Sequence, residues 1–321
     1  MGMATSFWQL LLSRLVLGVG EAFSAPAAYS LIADYFPADG RAEANGIYAF
    51  GVYVGGGLGS MSIAMARGMG WRSTCYAVAA YGFLLALLTR LTVREPKRST
   101  SKARPAAPTA DDSESYTVME SFQVIFRNRL IVLLFAAGAV RFMAGYAIGS
   151  FLPKFYEDVF PEYNTIYSYL NASVVSVGGA LSSFAGGRIA DSWERRGQTC
   201  ARLYVPAIGA ALGVPCIVLT LLTRNFYASM FWLFCEYVTA ECWFGPAISV
   251  LQNALPARVR GVGIATFTFL TTIAGSAMSW GLGILLGDGG GATITSLLLA
   301  ATCSTYAGCA VLFVAASRHM P

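Results

Sequence analysis

Residues 8–41 read WQLLLSRLVLGVGEAFSAPAAYSLIADYFPADGR. The run from Trp8 to Tyr35 is long enough to cross a membrane, because a span takes roughly 20 apolar residues at about 1.5 Å rise each. Yet it carries Arg14 and, seven residues on, Glu21. Seven residues turn a helix through about 700°, so both charges lie on one face, about 10 Å apart along the axis. Gly18, Ser24, Ala25 and Ala28 continue that face, which is small and polar. A charge at mid-bilayer costs at least about 2.5 kcal/mol on insertion scales. Such a face is expected to look into a cavity or at a partner helix, not at acyl tails. A salt bridge that only joins helices is the competing reading. It is the weaker one, because buried ion pairs often stabilise no more than apolar replacements do.

The composition points to lipid as the solvent. Apolar residues make up 56% of the 321-residue chain and charged residues 12%. A soluble domain carries about 25% charged residues. Nine stretches are apolar over the length of a span, near 8–36, 43–66, 72–92, 129–152, 165–190, 203–223, 227–254, 262–286 and 293–316. Residues 94–116, REPKRSTSKARPAAPTADDSESY, are rich in Pro, Ser and charge and predict a linker. After it, Val118, Phe122, Ile125 and Phe126 have the spacing of a short amphipathic helix on the membrane surface. The division expected is therefore 1–93, a linker with its helix over 94–128, and 129–321.

Basic residues assign the sides. Of 22 Lys and Arg, sixteen fall in the loops on the linker side and four (Arg67, Arg72, Lys154 and Arg224) on the other. The linker and C-terminus are thus expected in the cytosol and the N-terminus outside or in a lumen. The net charge of +5 is a topology signal, and no nucleic-acid partner is expected. His319 is the sole histidine, which excludes every His-based triad and most metal sites. The seven cysteines form no CxxC and read as small core residues. GGGLG and GLGILLG follow no strand, so no dinucleotide cofactor is expected. A membrane enzyme would need a reactive constellation that these residues do not supply.

The chain repeats itself. Residues 241–260, ECWFGPAISVLQNALPARVR, match residues 21–41 at Glu21 and Glu241, Pro26 and Pro246, Pro37 and Pro256, and Arg41 and Arg260. Two halves of like topology are a transporter architecture. In the second half three spans precede Glu241, whereas none precedes Glu21. Strict symmetry predicts three further spans upstream, about 90 residues.

These motifs resemble the major facilitator superfamily, and more narrowly its Spinster-like branch. RLVLGVGEAFSAPAAYSLIADYFPADGR is similar to the fourth span and the loop after it, with Asp34 and Arg41 in the motif. AECWFGPAISVLQNALPARVRG is similar to the tenth span. GGRIADSWERRG resembles the family's cytosolic loop motif at Gly187, Asp191, Arg195 and Arg196, while Ser192 and Glu194 depart from it. The resemblance implies an all-α polytopic membrane protein with nine of twelve helices present. It implies alternating access, a central cavity, proton coupling in many members, and amphiphilic lipids such as lysophospholipids or phosphorylated sphingoid bases as cargo. It also implies a plasma, late endosomal or lysosomal membrane. A transport-inactive truncated form, or a regulatory partner of a full-length carrier, is the alternative.

Candidate binding residues follow from the same membrane cost. Position 14 plus 220 is Phe234, so the repeat keeps the Glu and drops the Arg, which favours a functional charge at Arg14 and Glu21. Separation of that pair in one state would let Glu21 exchange a proton and free Arg14 for an anion. Arg141, in mid-span, has no carboxylate within its own helix. Its partner is expected to be Glu241, by the repeat, or else Glu236; a lipid phosphate is the other candidate. Tyr146 and Trp243 are candidates to line an amphiphile site. Gly51, Gly55 and Gly59 form two GxxxG steps that suit close helix contact.

Overall fold

Strong caps start several helices. Ser6 accepts from the Gln9 amide, Asn128 from Leu130 and Asn225 from Ala228, each supplying an acceptor to a first-turn N–H. The computed structural model of the protein describes residues 1–36, 41–93, 118–256, 259–287 and 291–320. Its helices are α1 (Phe7–Tyr35), α2 (Arg41–Met69), α3 (Trp71–Thr92), α4 (Val118–Arg127), α5 (Arg129–Val159), α6 (Asn164–Ser173), α7 (Gly179–Arg195), α8 (Ala201–Leu222), α9 (Phe226–Ala240), α10 (Phe244–Ala254), α11 (Arg260–Leu286) and α12 (Gly291–Ser317). Residues 94–117, most of the expected linker, lie outside the described residues.

Among the described residues seven helices are long and apolar enough to cross a membrane: α1, α2, α3, α5, α8, α11 and α12. The expectation of nine is therefore corrected to seven. The two runs that fail are 165–190 and 227–254, and each is broken. The first is split by the π-helical segment Val174–Gly178 into α6 and α7, of 10 and 17 residues. The second is split at residues 241–243 into α9 and α10, of 15 and 11 residues. Pro246 accounts for the second break. It has no N–H to give to the carbonyl of Cys242, so it suits the first turn of a new helix better than the middle of an old one. Counting apolar residues assumes an unbroken 1.5 Å rise and does not see either interruption.

The main core lies in the second half, among α5, α8, α9, α11 and α12. Phe155, Tyr156, Leu233, Ile217, Tyr306 and Phe313 are fully buried there. At one end Tyr156 stacks on Tyr167 at 4.6 Å and Tyr163 on Phe226 at 4.5 Å, with the Tyr156 hydroxyl 2.7 Å from that of Ser229. Helix α4 docks on α5: Ile125 is fully buried, and Phe126 meets Phe135 edge-on at 6.0 Å. Helices α1 and α3 turn Trp8, Phe23, Phe83 and Leu91 outward. Apolar surface on that scale is costly in water but not in hydrocarbon. Gly70, between α2 and α3, has φ +83°, a conformation open to glycine at little cost.

Helix α2 forms a seam with later helices. It lies along α6, α7 and α10. The Ser183 hydroxyl donates to the Gly46 carbonyl at 3.3 Å, and Asn171 Nδ2 to Ser60 Oγ at 2.9 Å. A Cβ at Gly57 would overlap Ser176 Oγ and stand 2.7 Å from the Ala172 carbonyl. Gly51, Gly55 and Gly59 face open space instead. The close approach thus uses another face of α2 than the GxxxG steps predict, because Gly46 and Gly57 are where a neighbouring backbone arrives.

Candidate functional site

A cavity of about 700 Å³ opens where α1, α2, α5, α11 and the break between α9 and α10 converge. Its walls are largely aromatic: Tyr29, Tyr48, Phe142, Tyr146, Trp243, Phe244 and Phe267. These rings brace one another. Tyr29 meets Tyr48 at 5.1 Å, Phe142 meets Trp243 at 5.7 Å and Trp243 meets Phe244 at 5.2 Å. Glu21, Ser24, Arg141, Glu241, Thr268 and Thr271 add the polar groups.

The ionic centre is Arg141 with Glu241. Arg141 Nη2 donates to Glu241 Oε1 at 2.7 Å and to the Ala240 carbonyl at 3.2 Å. The Ala240 carbonyl ends α9 and has lost its helical partner at the break, so the guanidinium satisfies it. Tyr53, on α2, donates from its hydroxyl to Glu241 Oε2 at 2.8 Å. The carboxylate is therefore held by one group from α2 and one from α5. The Arg141 side chain is 2% exposed and Glu241 15%, so the pair sits at the inner edge of the cavity. The rings of Tyr306 and Trp243 lie 5.0 and 5.8 Å from Arg141 Cζ, close enough for cation–π attraction. Glu236 is buried nearby and takes a short hydrogen bond from the Tyr306 hydroxyl. Of the two carboxylates expected to serve Arg141, the direct contact is with Glu241.

The other predicted residues distribute as follows. Glu21 and Tyr146 line the cavity. Arg14 does not. It is exposed, and no ion pair joins it to Glu21, because two turns of straight helix keep them apart and no neighbour brings them together. The side chains of Asp34 and Arg41 lie outside the described residues. Gly187 and Asp191 are buried in α7, whereas Arg195 and Arg196 are exposed at its end. Arg202 opens α8 and reaches Asp191 Oδ1 at 3.1 Å and Glu194 at 2.7 Å. Arg260 is half-buried at the start of α11.

Five residues were not foreseen: Tyr53, Tyr306, Arg202 and the amide pair Asn45–Gln252. Asn45 Nδ2 donates to Gln252 Oε1 at 3.1 Å with both side chains buried, joining α2 to α10. A polar amide in an apolar run is a signal for the last pair. For the tyrosines no such signal exists, since an aromatic in a membrane helix most often packs.

Comparison with known proteins adds to this geometry. The family model described as Major Facilitator Superfamily matches residues 1–279. An MFS-type efflux pump of Mycolicibacterium smegmatis is 24% identical over 334 residues, covering 99% of this chain and 73% of that protein. Protein spinster homolog 1 of Homo sapiens is 38% identical over 104 residues, 32% of this chain and only 20% of that one. The crystal structure of a bacterial homolog to the human lysosomal transporter Spinster, inward-facing and unoccupied, has the same fold. Its TM-score is 0.62 at 21% identity, over 99% of this chain and 78% of that one.

Proposed function

Because the chain belongs to the Major Facilitator Superfamily, a family of carriers and not of enzymes, we propose that it moves a small amphiphilic anion across a membrane by alternating access. The observation that carries this reading is a single buried guanidinium, Arg141, at the edge of an aromatic cavity of about 700 Å³. Aromatic walls accept an apolar chain, and arginine accepts a phosphate or carboxylate by paired hydrogen bonds. Similarity to a spinster homolog over 104 residues favours the Spinster-like branch. Lysophospholipids and phosphorylated sphingoid bases, the cargo which that resemblance implies, have the required shape and charge. By the same resemblance the membrane is late endosomal, lysosomal or plasma, and the loop charges put the linker and C-terminus in the cytosol.

Proton coupling is part of the proposal. An anion that engages Arg141 comes up against the charge of Glu241 in a poorly solvated place. A proton on Glu241 removes that repulsion, so proton and anion occupy the site together. Glu21 is a second carboxylate on the cavity wall. Residues 1–93 and 129–321 are the two rocking units, and the seam along α2 opens and closes.

Proteoliposomes loaded with a pH dye test both parts. A lysophospholipid or sphingoid phosphate gradient is expected to drive proton flux, and Glu241→Gln to abolish the flux while solute binding persists. Unchanged coupling in both Glu241→Gln and Glu21→Gln removes the proton from the mechanism. No uptake of any amphiphilic anion removes the cargo assignment.

A further inference from the structure

Away from the central cavity, two adjoining pockets mark the outer face of the bundle. One, of about 490 Å³, is an apolar slot between α8 and α12, lined by Ala207, Ala211, Ala310, Val311 and Arg318 among others. The other, of about 420 Å³, is lined by Trp193, Arg196, Gln198 and Tyr204. Tyr204 borders both. The backbone builds this junction. Gly197 has φ +92° and reverses the chain so that Arg196 and Gln198 flank the same pocket. The Cys200 thiol donates to the Ser317 carbonyl at 3.4 Å, which pins the α7–α8 turn beside the end of α12 and hence beside Arg318.

We propose that this junction is a binding site for an anionic phospholipid. Its phosphate sits between the guanidinium groups of Arg196 and Arg318, and one acyl chain lies in the alanine-lined slot. Three features select that occupant. Among the described residues neither arginine is ion-paired; the carboxylate two residues from Arg196, Glu194, is engaged by Arg202 at 2.7 Å. Two arginines, one in each pocket that Tyr204 borders, complement a phosphate and not a zwitterion's outer ammonium. The slot continues from the cationic end for at least two helical turns, Tyr204 to Ala211, or roughly 10 Å, with small side chains that leave room for a methylene chain. A free phosphate would have no use for such a slot. Trp193 and Tyr204 supply the amphipathic rings that membrane interfaces favour.

The test uses the whole chain in phosphatidylcholine vesicles that contain a trace of phosphatidylglycerol with a photoactivatable acyl chain. Label is read by mass spectrometry on peptides of α8 and α12. Phosphatidylglycerol is expected to label Ile208 and Val311 peptides roughly tenfold more than the matching phosphatidylcholine probe. Arg196→Ala with Arg318→Ala is expected to bring the two probes level, with labelling of α1 and α3 unchanged. Ala211→Trp is expected to reduce both probes in the slot. Equal labelling by both lipids in the unmodified chain overturns the proposal. So does a preference that survives loss of both arginines, or one that excess inorganic phosphate abolishes. None of these readings depends on transport, so the site stands or falls apart from the carrier assignment.

Discussion

The Tyr53 hydroxyl donates to Glu241 Oε2 at 2.8 Å while Arg141 holds the other oxygen at 2.7 Å. One carboxylate thus ties α2 to α5 at the break between α9 and α10. The contact can persist only while α2 and α5 keep this spacing. It is the kind of polar latch that two rocking units would have to make and break. Tyr53→Phe keeps the ring, which fills the space beside Gly179, and removes only the donor. A hydrogen bond to a charged group contributes about 2 kcal/mol, so a lower unfolding temperature in detergent is expected, with an altered transport rate. A variant with native stability and native rate would show that the latch has no role.

Arg141 separates stability from function. Removing it alone strands Glu241 and is expected to cost roughly 3–5 kcal/mol. Replacing both, as Arg141→Met with Glu241→Met, is expected to restore most of the stability and none of the uptake. Thermal unfolding and uptake are measured on the same preparations. Uptake by the double variant would mean that the pair only joins helices.

Glu236 depends on Tyr306 in a way that orders two variants. Tyr306→Phe leaves a buried carboxylate without its donor and is expected to destabilise by about 1–3 kcal/mol. Glu236→Gln keeps a neutral acceptor for the same hydroxyl and is expected to cost less. Chemical denaturation in mild detergent compares the two, and the reverse order would refute the assignment of Tyr306 as donor.

The seam along α2 makes a paired prediction. Gly57→Ala drives a methyl into Ser176 and the Ala172 carbonyl, whereas Gly55→Ala meets open space. Overpacking of that kind costs about 1–3 kcal/mol. Loss of monodisperse protein is therefore expected for Gly57→Ala and not for Gly55→Ala, as read by size exclusion. Equal behaviour would argue that the seam is loose.

Cysteines at Asn45 and Gln252, in a background lacking the seven native ones, test movement of the same seam. These side chains hydrogen-bond at 3.1 Å, so a short thiol-cleavable bis-thiol cross-linker is expected to bridge the two cysteines and to block uptake reversibly. Full uptake by the cross-linked protein would show that this contact stays closed throughout the cycle.

The sequence by itself determined an apolar all-helical chain with charges that lipid does not tolerate, and it marked Arg141 as a charge in need of a partner, with Glu241, Glu236 and a lipid phosphate as the candidates. Composition sets the solvent, and the price of a mid-membrane charge marks the residues that need a neighbour. The repeat then favoured Glu241 over Glu236. Local pattern reaches no further, because a helix period says which face a residue is on and nothing of what arrives there. Tertiary structure alone decided that Tyr53, 188 residues away, completes the hold on Glu241, and that Tyr306 takes Glu236. It left Arg14 exposed, moved the close helix contact from Gly55 to Gly57, and broke two apolar runs that counting had taken as continuous. In each case the deciding quantity is a distance between distant parts of the chain, which only the packed helices fix.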